Sequence, residues 1–100
     1  MPRTVTLVRH HVADFDAWKK EYDTATPLQQ ANGLRVHQVL RSAEDPNDVV
    51  VSHTFDSSEA AHEFMAKPEI KEAMNRAGVK ADSVKTTYYS EVDTEKLAIS

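Results

Sequence analysis

Three consecutive valines, Val49-Val50-Val51, sit inside the most β-prone run of the chain, Asp48 to Phe55. Side chains alternate between the two faces of a strand, so apolar residues at successive positions require that both faces be covered. The run therefore reads as a central strand. Thr4 to Val12 makes a similar demand, with Val5 and Leu7 on one face and Val8 and Val12 on the other.

The segments around these strands fix their order. Asp14 can cap a helix in which Phe15, Trp18, Tyr22 and Ala25 form one apolar stripe. Pro27 breaks that helix, and Thr26-Pro27-Leu28-Gln29 resembles a restart with Thr26 as cap and Gln29 closing a capping box. Asn32-Gly33 supplies a left-handed stop before a strand from Leu34 to Ser42. Asp45-Pro46-Asn47 favours a tight turn, which makes this strand and the valine strand a hairpin.

Asp56-Ser57-Ser58-Glu59 has capping-box spacing, with Asp56 as cap, and opens a helix that points Ala60, Ala61, Phe64 and Met65 inward. Lys67-Pro68 interrupts it. The pattern resumes through Ile70, Ala73, Met74 and Ala77 until Gly78, with Glu63–Lys67 and Glu72–Arg76 spaced for ion pairs. Val84 to Val92 reads as a fourth strand. Residues 1–92 are expected to form a single domain, and residues 93–100 a tail, frayed or laid on a partner.

Strand, helix, hairpin, helix, strand is the ferredoxin-like α+β order, β-α-β-β-α-β, in which two right-handed crossovers put the helices on one face of a four-stranded antiparallel sheet. A chain of 100 residues has material for one packed core, which leaves the other face without cover. Its apolar residues point to a second copy, packed sheet on sheet as a homodimer and able to close a shared barrel.

Composition removes several function classes. The formal net charge is −4 with Lys and Arg scattered, which gives no footprint for nucleic acid. The chain has no cysteine, so disulfides, iron–sulfur clusters, thiolate zinc sites and thiol nucleophiles are excluded. No stretch approaches the ~20 apolar residues that span a bilayer, and Met1-Pro2-Arg3 runs into the first strand without an apolar signal core, so no membrane association and a cytoplasmic location are expected.

Val8-Arg9-His10 through Val12, Asp14, Asp16 and Trp18-Lys19, then Asp45-Pro46-Asn47, the valine strand, and Ser58-Glu59-Ala60-Ala61 before Phe64 form a recognisable series. From Val5 to Val92 it resembles the dimeric α/β-barrel superfamily, and within it the antibiotic biosynthesis monooxygenase group, some members of which are labelled cyclases. The resemblance implies a homodimer that holds a hydrophobic small molecule between sheet and helices. Some members oxidise aromatic polyketides with oxygen, using no metal, flavin or other cofactor; related branches degrade haem or isomerise small lactones. The chain departs from the quinone-forming and haem-degrading branches in lacking their Asn and Trp, four residues apart on the second helix. Ala60 and Phe64 stand near those places.

Five histidines are many for this length, and His10, His11, His37 and His53 fall on strands. Neighbours in a strand diverge, so one of His10 and His11 points into a covered face. His53 interrupts an apolar central strand, where a polar residue must find a partner or a ligand. His53, His10 and His37 are thus the candidate proton carriers, because imidazole titrates near neutrality. Trp18, Tyr22, Phe64 and Tyr88 supply aromatic surface for a flat ligand, with Tyr88 or Tyr22 orienting it, although Trp18, Tyr22 and Phe64 equally suit an ordinary core. Tyr88 and its neighbour Tyr89 face opposite sides. No metal site is assigned, since no histidine pair has helical ligand spacing, though ligands drawn from several strands would escape that criterion. Arg9, Arg35 and Arg41 read as edge or interface charges, and His62 as a solvent-facing helix residue.

Two classes of function follow: a cofactor-independent oxygenase, cyclase or isomerase acting on a small hydrophobic or aromatic metabolite, and a non-catalytic module that binds such a ligand and dimerises. Haem binding or degradation is a third, reached only through the resemblance.

Overall fold

Backbone pairing carries the architecture. The computed structural model describes residues 2–95; of the tail set apart above, residues 96–100 lie outside the described residues. The elements run β1 (Thr4–His11), α1 (Phe15–Asp23), α2 (Thr26–Ala31), β2 (Leu34–Arg41), β3 (Asp48–Phe55), α3 (Ser58–Met65), α4 (Pro68–Arg76) and β4 (Lys85–Ser90). The strands form one antiparallel sheet in the order β2-β3-β1-β4. The fold is the ferredoxin-like α+β arrangement, with the valine strand central and its β1 partner beside it.

The two faces of the sheet differ in kind. Thr4, Thr6, Val8 and His10 of β1 and Val49, Val51, His53 and Phe55 of β3 are buried toward the helices. Two apolar clusters cover them: Trp18 and Ala77 close over Val12, Val49 and Val51, and Ala61, Phe64 and Ile70 over Phe55. Full burial of a side chain such as Phe55 or Phe64 stabilises by roughly 1.5–3 kcal/mol. On the other face Val36, Thr54, Val5 and Tyr89 stand in one row across all four strands. Val36, Leu40 and Tyr89 are 50%, 48% and 52% exposed there.

Gly78, at φ 80°, ends the helical run and lets the chain turn back. A Cβ at this position would stand 3.6 Å from that of Ala13. The Gly78 carbonyl accepts from the Ala13 amide, while Val12 pairs with Val79, so the last helix is laced to the end of β1.

Local chemistry corrects several sequence expectations. Asp14 does cap α1, accepting from the Asp16 amide. Thr26 does not cap α2: Ala25 already has right-handed helical angles, so α1 turns almost directly into α2, and the Thr26 hydroxyl donates to the Asp23 carbonyl. Ser57 rather than Asp56 caps α3, because its extended backbone brings its Oγ to the Ala60 amide. Asp56 is engaged by Arg35 through two nitrogens. Glu63–Lys67 and Glu72–Arg76 do not come within ion-pair distance among the described residues; the four-apart pair that forms is Lys19–Asp23. The second strand stops at Arg41, one residue short. The fourth is confined to Lys85–Ser90, because Val84 caps the 3₁₀ turn at Ala81–Ser83, its amide donating to the Ala81 carbonyl, and pairing with β1 ends at Thr4↔Ser90.

Candidate functional site

A cavity of about 70 Å³ lies between the two apolar clusters, roofed by all four helices and floored by the central strands. Its walls are mostly apolar. His10, Trp18, Tyr22, His53 and Phe64, five of the residues expected at a site, line it together.

β alternation sends His10 and His53 to the helix side, where they are 3% and 6% exposed. His10 packs against Trp18 with ring centroids 5.6 Å apart. Neither of its ring nitrogens has a protein hydrogen-bond partner, and the same is true of His53 Nδ1. Burial pulls both imidazoles down to a pKa of about 4, because the charged form loses its hydration. Both are therefore neutral bases at pH 7, with bare nitrogen in an apolar setting.

His53 Nε2 is occupied. The Tyr22 hydroxyl lies 2.9 Å from it and 3.0 Å from His37 Nδ1. Register explains the meeting: His37 and His53 are directly opposed across β2 and β3, and Tyr22 descends from α1 between them. Trp18 stacks on Tyr22 at 5.0 Å and 20°, which fixes the phenol ring. Phe55 and Phe64 meet the His53 ring edge-on, at 80° and 81°. Burial raises the Tyr22 hydroxyl to about 12, so it stays protonated. His37 is exposed on edge strand β2 and joins the site through Tyr22 rather than as a wall.

Tyr88 is not brought to this cavity. It faces the helix side as one of the neighbouring tyrosines had to, but β4 is the far edge strand, and there Tyr88 stacks on His62 at 3.8 Å. It lines a larger open groove of about 650 Å³ between α4 and β4, together with Lys71, Asn75 and Thr86. Met65 and Met74 belong to both the cavity and the groove. Gln29 is a cavity residue that the sequence pattern assigned to capping. Its spacing of four from Ala25 and seven from Tyr22 continues the apolar stripe, and that was the available signal.

Arg35 and Arg41 lie on edge strand β2 as expected, whereas Arg9 stands on interior strand β1. Arg9 grips Asp48 through two hydrogen bonds of 3.2 and 2.8 Å, Arg35 holds Asp56, and Arg41 lies 4.5 Å over the Phe15 ring. No group of three or more His, Asp or Glu side chains placed to hold a metal occurs among the described residues. No described helix is long and apolar enough to cross a membrane.

Comparison with known proteins places this geometry in context. The structure resembles SnoaB, a cofactor-independent oxygenase from Streptomyces nogalater, with a TM-score of 0.70 at 12% identity, covering 97% of this chain and 98% of that one. A candidate antibiotic biosynthesis monooxygenase from Bordetella bronchiseptica gives 0.76 at 14% identity, covering 92% and 99%. Another, from Caulobacter crescentus CB15, gives 0.74 at 20% identity, covering 92% of each chain. At these identities the likeness is one of fold. No curated protein matches the sequence. The family model for antibiotic biosynthesis monooxygenases matches residues 3–76, from β1 through α4, and the chain belongs to that family.

Proposed function

We propose that this protein is a homodimeric, cofactor-independent enzyme of the oxygenase, cyclase or isomerase type that acts on a small hydrophobic or aromatic metabolite, with His53 as its proton carrier. One observation carries the reading: the nitrogens of His10 and His53 that lack partners are buried in a mostly apolar cavity. A buried polar group left unsatisfied costs about 1–3 kcal/mol, and a ligand bearing a hydroxyl or an acidic C–H would recover it. His53 is neutral at pH 7 and able to accept that proton. The resulting carbanion or phenolate is electron-rich; given dioxygen, a substrate CH₂ would become a carbonyl with release of water, and without it the proton could return at another carbon.

The cavity alone is small for a ring system, since ligand pockets usually run to about 300–1,000 Å³. Met65 and Met74 divide it from the larger groove, and rotation of these flexible side chains would join the two spaces. The apolar row on the open sheet face supports a second copy as its cover.

Oxygen uptake with anthrone, a tricyclic ketone with an acidic CH₂, tests the oxygenase form, and sedimentation tests the dimer. His53→Ala is expected to slow turnover about 10²–10⁴-fold, the usual worth of a general base. Turnover unchanged in both His53→Ala and His10→Ala would remove the assignment. The small size of the cavity favours one other reading, a non-catalytic binding module, for which the sole tryptophan, Trp18, would report anthrone binding without oxygen uptake.

A further inference from the structure

Tyr22 stands between one buried and one exposed imidazole, and its hydroxyl carries a single proton. It can donate to only one ring, and when it does so it accepts from the other. Two arrangements place that proton between the neutral rings. In the first, His53 holds its proton on Nε2 and donates to Tyr22, which donates to His37 Nδ1; His53 Nδ1 is then bare. In the second, His37 donates from Nδ1, Tyr22 donates to His53 Nε2, and His53 holds its proton on Nδ1.

Passing from the first to the second moves one proton through the wall. A proton arrives at His53 Nδ1, the Nε2 proton shifts to the Tyr22 oxygen, the Tyr22 proton shifts to His37 Nδ1, and the proton on His37 Nε2 leaves to water. Every bond broken is matched by one formed. We propose that Tyr22 and His37 are positioning residues of a proton relay that lets His53 transfer protons between cavity and solvent without becoming a buried cation. This rests on the reading of His53 as the cavity's proton carrier and adds the route by which it is reset.

The surroundings suit the role. A buried imidazolium is disfavoured at His53, first by desolvation and then by any positive charge on His37, whereas His37 stands exposed at the sheet edge, in contact with water. Trp18, Phe55 and Phe64 hold the two inner rings in place. The charged or titratable groups facing the trio are Glu21 and Asp23 on α1 and His10 on β1, α2 offers neutral Gln29, and the lining from α3 and α4 is apolar.

Histidine-¹⁵N spectra of the full chain, recorded without ligand across a pH series, test the relay. Protonated His37 must donate from Nδ1, which turns the Tyr22 hydroxyl toward His53 Nε2. The bare and protonated nitrogen signals of His53 should therefore exchange places wherever the His37 signals show that ring doubly protonated. In Tyr22→Phe the exchange should be lost, with the amide spectrum otherwise retained. Should Tyr22→Phe fail to fold, His37→Asn at the exposed edge should hold His53 in one tautomer at every pH. A His53 tautomer indifferent to His37 in the unmodified protein, or a switch that survives in Tyr22→Phe, overturns the relay. If the switch is present but His53→Ala leaves turnover intact, the relay stands and the proposed function fails.

Discussion

The two faces of the sheet are incomplete in opposite senses. Toward the helices, polar nitrogens of His10 and His53 are buried without partners; away from them, apolar Val36, Leu40 and Tyr89 are exposed without cover, while the charges of Arg9 and Asp48 are already matched. One face lacks something polar to fill it and the other something apolar to lie on it. A hydrophobic core built for stability alone would have neither deficit, and the proposed function assigns a ligand to the first and a second copy to the other.

The sharpest way to break the comparison is to remove bulk from the helix face. Phe64→Ala should cost about 3–5 kcal/mol, because it opens a cavity beside Phe55 and Ala61, and chemical denaturation would read the loss. Acid separates the faces next. His10 and His53 are neutral when folded down to a pKa of about 4, while the unfolded chain takes up their protons near pH 6.5. Stability is then full above about pH 6.5 and is lost as pH falls toward 4, at about 1.4 kcal/mol per pK unit for each group. His53→Leu should flatten this dependence while changing stability at neutral pH by no more than about 1 kcal/mol, since the loss of an unsatisfied buried nitrogen offsets the loss of its hydrogen bond to Tyr22; a steeper acid loss in that variant would contradict the burial of His53. The smallest effect belongs to the open face. Tyr89→Ser should leave the unfolding free energy of the separated chain within about 0.5 kcal/mol, yet weaken self-association in sedimentation.

Features governed by alternation and side-chain volume were legible before the fold was known. Val49 to Val51 announced a central strand, His10 and His11 had to part company, and His53 was conspicuous as a polar break in an apolar run. Features that depend on which of two neighbours wins a hydrogen bond were not. Asp56 and Ser57 are both good caps, and Arg35, brought near by the hairpin, decides between them by taking Asp56. The helix-side direction of Tyr88 follows from parity, but its separation from the cavity follows from β4 being an edge strand, which needs the strand order. The meeting of Tyr22 with both histidines depends on the cross-strand register of His37 and His53, which no local pattern encodes. Gln29 was hidden because a glutamine three residues after a threonine imitates a capping box.

Met65 and Met74, shared by the enclosed cavity and the open groove, give the interior a wall without a fixed shape. A partition of β-branched or aromatic residues would select ligands by outline, as a mould does. Unbranched thioethers swing on several bonds at little energetic cost, so this wall discriminates poorly by contour, and recognition falls to the few polar atoms behind it. The same scaffold could therefore exchange one guest for another through changes at two or three polar positions while its strands and helices stayed where they are.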